Sequence, residues 1–151
     1  MSGNYFLGFE VPEEVKGFAF KMMNEFRSLS RDSEWMSYDN LHVTFQFLGK
    51  DPSYNLDKKS VFDVYQACVQ GFGRFSNKVW YMNVLPSYDL RKLHPDPKKW
   101  YPHLTLAKGG VQSFDDSGFY VPQFVFDVPE LILYKTVGGG NPYEVVERIA
   151  L

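Results

Sequence analysis

Cysteine occurs once in the 151 residues, at Cys68, so no internal disulfide can form. A lone cysteine on the apolar stripe of an expected helix reads as a buried thiol in a reducing compartment. Basic charge is not in excess either. Sixteen Lys and Arg against eighteen Asp and Glu leave a net charge of −2, which excludes a protein that grips long duplex nucleic acid mainly through phosphates. Long apolar runs are missing, and Met1-Ser2-Gly3-Asn4 leads into a strand pattern without a basic leader. Neither a membrane span nor a signal peptide is therefore expected, and the cytoplasm is the default location. No linker or low-complexity stretch divides the chain, so a single domain over residues 1–151 is expected, large enough to bury a core without disulfides or metal.

Aromatic residues, by contrast, make up 18% of the chain, enough to leave rings for ligand contact once a core is filled. Histidine is scarce: three in all, and two of them share one pattern. Leu41-His42-Val43-Thr44-Phe45 and Pro102-His103-Leu104-Thr105-Leu106 are both hydrophobic strands interrupted by His-x-Thr. Residues i and i+2 of a strand point to the same side, so each histidine shares a face with its threonine. Leu41, Val43, Phe45, Leu104 and Leu106 alternate onto the other face and anchor both strands in a core. The third histidine, His94, lies between prolines and reads as a solvated loop residue.

Taken in order, the chain opens on a strand from Tyr5 to Val11, with Tyr5, Leu7, Phe9 and Val11 on one side and Phe6 and Gly8 on the other. Pro12, Glu13 and Glu14 start a helix, and Val15, Phe18, Met22, Phe26 and Leu29 carry its apolar stripe to about Leu29. Ser30 to Asn40 reads as a loop, Leu41 to Leu48 as the first motif strand and Gly49 to Asn55 as a turn. Val61, Val64, Tyr65, Cys68 and Val69 then mark a second helix from roughly Asp57, stopped at Gly71 and Gly73. A strand over Lys78 to Leu85 is followed by a loop with three prolines, Pro86 to Lys99, and by the second motif strand, Tyr101 to Ala107. Strand material at Phe124 to Val128 and Glu130 to Lys135 precedes a turn at Gly138 to Pro142 and a last strand at Tyr143 to Ala150. This order makes the fold class α+β, two helices on a largely antiparallel sheet.

Cleaving a phosphodiester requires one group to take a proton from the attacking oxygen and another to protonate the leaving oxygen. Two imidazoles do this near neutral pH, because a histidine pKa of about 6.5 leaves both forms populated. His42 and His103 supply the pair, and Thr44 and Thr105 can donate to non-bridging phosphate oxygens as charge grows there. No metal and no cofactor is required. Phe6 and Tyr134 have two readings of equal weight, rings that line a cleft and stack on a base or rings that pack in the core.

Three stretches carry a family resemblance: Tyr5 to Pro12 entering the first helix, Asn40 to Gly49, and Pro102 to Lys108. With Leu131 to Thr136, the glycine turn and Tyr143-Glu144, they make the chain resemble the 2H phosphoesterase superfamily, which includes RNA 2′,3′-cyclic phosphodiesterases and 2′-5′ phosphodiesterases. The resemblance implies two lobes of largely antiparallel sheet flanked by helices around a central cleft. It also implies His42 and His103 as the acid/base pair with Thr44 and Thr105 as phosphate donors. An arginine often stands five residues after the second histidine in that family; here Lys108 keeps the charge without the bidentate fork. Strict alternation puts Lys108 opposite His103, so a twist or bulge near Gly109-Gly110 is needed to bring it in. Bacterial-type members usually carry a further helix before the second motif, where this chain reads as loop, and that shortening is expected to open one side of the cleft.

The function implied is a metal-independent phosphodiesterase of 2′,3′-cyclic phosphates or of 2′-5′ and 3′-5′ linkages in RNA ends and small oligonucleotides, working as a monomer. Two alternatives stand beside it. One is a phage or viral enzyme that degrades cyclic or 2′-5′-linked nucleotide messengers of host immunity. The other is a non-catalytic RNA- or nucleotide-binding module of the same fold.

Overall fold

Strand alternation, more than any helix, organises this protein. The computed structural model describes residues 3–56, 61–111 and 114–151. Strand β1, Tyr5–Phe9, sorts its side chains as the sequence implies: Leu7 and Phe9 enter the main core, while Phe6 joins a separate small cluster with Ile132 and Tyr134. Helix α1, Glu13–Phe26, starts just after Pro12, whose carbonyl accepts from the Val15 and Lys16 amides. It buries Val15, Ala19, Met22, Met23 and Phe26 at helical spacing, and a 3-10 turn, Arg27–Leu29, follows it.

The remaining elements are β2 (Glu34–Trp35), β3 (Val43–Gly49), β4 (Gln66–Phe75), β5 (Val79–Pro86), helix α2 (Tyr88–Leu93), β6 (His103–Lys108), β7 (Phe124–Asp127), β8 (Glu130–Lys135) and β9 (Glu144–Ala150). The strands make one antiparallel sheet in the order β7-β4-β5-β6-β3-β1-β8-β9, with β2 paired to β6 off this path. The order reads outward in the same way from the middle: β3 is backed by β1, β8 and β9, and β6 by β5, β4 and β7. Between the halves the described ladder holds a single residue pair, Val43 opposite Leu104. A one-pair seam lets the two half-sheets diverge, and the divergence leaves a cleft. The architecture is α+β with two lobes around that cleft.

The sequence expectation fails in the second half at two places. The helix expected from about Asp57 to Gly71 is strand β4 from Gln66 onward, while residues 57–60 lie outside the described residues. Ala67 and Val69 are buried in alternation, and β4 is hydrogen-bonded on both sides, to β5 and β7, so ladder pairing overrides the helical spacing of Val61, Val64 and Cys68. The glycines that read as a helix stop serve the strand instead. Gly71, at φ +59°, sits in a bulge between Gln70 and Phe72, and at Gly73 a Cβ would lie 2.6 Å from the Tyr81 ring. Cys68 is accordingly half-buried on a strand, not sealed under a helix.

The expected loop from Pro86 to Lys99 contains helix α2. Ser87 caps it by accepting from the Leu90 amide, Asp89 stands in its first turn, and Leu90 and Leu93 are buried beneath it. The second motif is thus reached by strand, helix and strand, as the first is, and a six-residue helix stands where the sequence reads as loop alone. Two short pieces, β2 and a 3-10 turn at Tyr38–Asn40, occupy what reads as loop in the sequence.

Candidate active site

The seam positions the two motifs. Val43 and Leu104, the middle residues of the two His-x-Thr triplets, are the pair that joins the half-sheets, and both are fully buried. Their neighbours at ±1 therefore turn to the opposite face, where His42, Thr44, His103, Thr105, Lys108 and Phe6 line one cavity of about 200 Å³ with Met36, Val79 and Tyr143. Because the strands are antiparallel, each histidine stands toward the threonine of the other motif.

Both imidazoles are held in the same way. His42 Nδ1 lies 2.7 Å from the Asn40 carbonyl oxygen, and His103 Nδ1 lies 2.8 Å from the Tyr101 carbonyl oxygen. A carbonyl only accepts, so each Nδ1 carries a hydrogen and each Nε2 is the ring nitrogen left to take or give a proton. His42 Nε2 is 2.9 Å from Thr44 Oγ1, and the hydroxyl donates to it. This bond ties the two residues of the motif together across one strand face.

The surroundings of the two rings differ. His42 packs on Phe6 at 4.9 Å, Tyr143 at 5.2 Å and Tyr134 at 5.9 Å between ring centres. Phe6 and Tyr134 are only 5% and 6% exposed. His103 packs on Phe75 at 5.1 Å and Tyr81 at 5.2 Å, with Tyr101 farther off, and here Phe75 is 36% and Tyr101 57% exposed. Burial pushes His42 down to about 4, the hydrogen bond to Asn40 works against this, and the positive charges of His103 and Lys108 lower it further. His42 is therefore neutral at pH 7.

Lys108 reaches the cavity by a bulge, although not at Gly109-Gly110. Tyr81 pairs with Thr105 and Trp80 with Ala107, leaving Leu106 unmatched, and Leu106 and Ala107 are buried in succession. This slip reverses the alternation and turns Lys108 to the side of His103. Its Nζ lies 3.9 Å from the Glu34 carboxylate at the rim. Tyr134 does not line the cavity; it stacks under Phe6 at 5.0 Å and forms the second layer of the His42 bed. His94 is not a solvated residue, since it stacks on Trp100 at 5.1 Å and 9° between planes and accepts from the Asp96 amide.

Several supporting residues have no signal in the motifs. Trp100 Nε1 donates to the Thr44 carbonyl at 3.1 Å, which fixes the first motif from the loop before the second. Asn40 is buried; its side-chain amide donates to the Asn141 carbonyl and accepts from the Tyr143 amide, while its backbone carbonyl holds His42. Gly8 leaves room for this packing, as a Cβ there would fall 2.7 Å from the Val43 carbonyl oxygen and 3.5 Å from the His42 ring.

No family model matches the chain. Over 127 residues it is 24% identical to the RNA 2′,3′-cyclic phosphodiesterase of Thermotoga maritima, an alignment covering 68% of each protein. The structure superimposes on E. coli LigT complexed with 3′-AMP at a TM-score of 0.73 and 19% identity, covering 99% of this chain and 98% of that one. The fold is the 2H phosphoesterase fold. TT0787 of Thermus thermophilus shares it at a TM-score of 0.70 and 19% identity, over 98% and 97% of the two chains. The fold expected from the paired motifs is thus found in solved proteins, and the sequence likeness to the Thermotoga protein runs in the same direction as the resemblance those motifs carry.

Proposed function

We propose that the protein is a metal-independent phosphodiesterase that opens nucleoside or RNA-terminal 2′,3′-cyclic phosphates, with His42 and His103 acting on opposite sides of one phosphorus. The observation that carries this reading is the pair of identically tethered imidazoles lining one cavity, each with Nε2 as its untethered ring nitrogen and a motif threonine lining the same cavity. His42, kept neutral by its buried aromatic bed, is the base: its Nε2 takes the proton of the attacking water. Its Nδ1 hydrogen, held by Asn40, steadies the imidazolium that results. His103, in the more open half, gives its proton to the departing ribose oxygen. Thr44 and Thr105 turn their hydroxyls to the non-bridging oxygens, and Lys108 adds positive charge at the rim. Each well-placed acid or base contributes about 10² to 10⁴ in rate.

The relatives support the substrate class. The Thermotoga protein is an RNA 2′,3′-cyclic phosphodiesterase by name, and E. coli LigT has been solved with 3′-AMP, with ATP and with NADP+. The test is a substrate panel of nucleoside 2′,3′-cyclic phosphates, RNA ends bearing a cyclic phosphate and 2′-5′ oligoadenylates, each with and without chelator. Turnover of the cyclic phosphates that survives the chelator is the expected result. No turnover of any panel member would favour a nucleotide-binding module, and loss of turnover with chelator would contradict the metal-free chemistry.

A further inference from the structure

Past the single pair that joins β3 to β6 the two strands part, and something other than a sheet ladder must set how far. Thr44 is the next residue of β3. After it, Phe45 has no partner on β1 either, since the ladder passes from Gly8 opposite Thr44 to Leu7 opposite Gln46. The first motif is thus thinly paired just where its threonine has to be held. A side chain closes the gap: the Trp100 indole, buried in the main core, donates from Nε1 to the Thr44 carbonyl at 3.1 Å. One residue further on, the Tyr101 carbonyl accepts from His103 Nδ1 at 2.8 Å. Consecutive residues therefore tie both motifs, the first through a side chain and the second through the main chain.

The indole is itself held on several sides. His94, the residue that ends α2, stacks on it at 5.1 Å with 9° between planes, and the two rings pack on Phe45 at 4.9 and 5.1 Å. The Asp96 amide donates to His94 Nδ1 at 2.9 Å, which fixes how that imidazole is turned. The Arg91 guanidinium lies over the Trp100 ring at 5.6 Å and donates to the carbonyls of Pro97 and Trp100 at 2.7 and 3.0 Å. The Lys99 and Trp100 amides both donate to the Asp96 carbonyl. The segment from His94 to Tyr101 is a braced wedge at the mouth of the parting strands. Neither His94 nor Trp100 lines the two-histidine cavity, so each acts on the chemistry only through the motif residues it holds.

We infer that the stack of His94 on Trp100 sets the spacing of the two His-x-Thr motifs, and that both are positioning residues: Trp100 holds Thr44, and His94 keeps the indole aimed at it. This rests on the phosphodiesterase reading above and deepens it. Thr44 also bonds His42 Nε2 at 2.9 Å, so a shift of its main chain reaches the first imidazole. Displacing a catalytic group by about 1 Å costs on the order of 10² in rate.

The test uses Trp100→Phe, which keeps a ring without the Nε1 donor, and His94→Ala, which loses the stack, with His94→Phe to restore a ring. His94 is half-buried in a loop, so its two variants keep the test open should Trp100→Phe fail to fold. In Trp100→Phe and His94→Ala, kcat for a nucleoside 2′,3′-cyclic phosphate is expected to fall about tenfold or more, with KM within about twofold of wild type. His94→Phe should recover most of the His94→Ala loss. In the substrate-free Trp100→Phe protein the Cε1 proton resonances of His42 and His103 should both move. Unchanged kcat in the folded variants, a loss carried by KM, unmoved resonances, or His94→Phe no better than His94→Ala overturns the inference and leaves the phosphodiesterase reading standing. Wild type that turns over no cyclic phosphate overturns that reading, and this inference with it.

Discussion

The first and second motifs place the same three groups in the same order, histidine, strand residue and threonine, and tether the histidine to the carbonyl two residues earlier in each case. What differs is the bed. Phe6, Tyr134 and Tyr143 enclose His42, with Asn40 bonded to the glycine turn, whereas two of the three rings around His103, Phe75 and Tyr101, stand partly in water. Equal tethering fixes where each Nε2 points, and the unlike beds are what the proposed mechanism uses to make His42 the base. One symmetric scaffold thereby yields two unlike groups, which proton transfer in two directions requires.

The comparison can be broken first at the rings themselves. His42→Ala and His103→Ala are each expected to lower kcat for a 2′,3′-cyclic phosphate by about 10² to 10⁴, measured beside circular dichroism spectra that stay native. Full turnover in either variant would detach that half from the chemistry. A smaller loss, on the order of 10 to 10², is expected for Thr44→Val and for Thr105→Val. Thr44→Val also removes the hydroxyl that bonds His42 Nε2, so its pH dependence should change where that of Thr105→Val does not.

Smaller again, and confined to the first half, is the effect of Gly8→Ala. Its Cβ would press on the Val43 carbonyl and the His42 ring, and a cost of about 1 to 3 kcal/mol in stability is expected, read as a fall in the denaturant midpoint. The smallest effect on turnover concerns stability against pH. In the unfolded chain His42 binds its proton at about 6.5, and in the folded one at about 4. Between those values the unfolded state holds more protons, so stability falls as the pH drops from 6.5 toward 4. His42→Gln should remove that part of the slope and leave stability above pH 7 with no such dependence.

The same unevenness marks what the sequence makes legible. The first half is readable because its signals agree: period-two alternation in β1 and β3, a 14-residue amphipathic α1 begun by Pro12 and two acids. Both His-x-Thr motifs, and the face each turns to the cleft, follow from alternation alone. In the second half the local signals conflict. Val61, Val64, Cys68 and Val69 fit a helix, yet Ala67 and Val69 are buried as strand residues because β5 and β7 supply partners that no local window contains. Helix α2 leaves a trace in Ser87, Asp89, Leu90 and Leu93, but three nearby prolines outweigh a signal only six residues long. The bulge at Leu106 that brings Lys108 round depends on register with β5, and the contacts of Trp100, Asn40 and Tyr143 around His42 join segments far apart in the chain.

The central claim is that His42, the ring on the buried aromatic bed, is the base, and an NMR titration of the histidine Cε1 protons in the substrate-free protein tests it most directly. With His42 assigned through the His42→Gln variant, its resonance should titrate near pH 4. The acid limb of kcat/KM should lie in the same region. A His42 midpoint near the ordinary 6.5 or above would contradict the account, because the aromatic bed would then not keep that ring free of its proton.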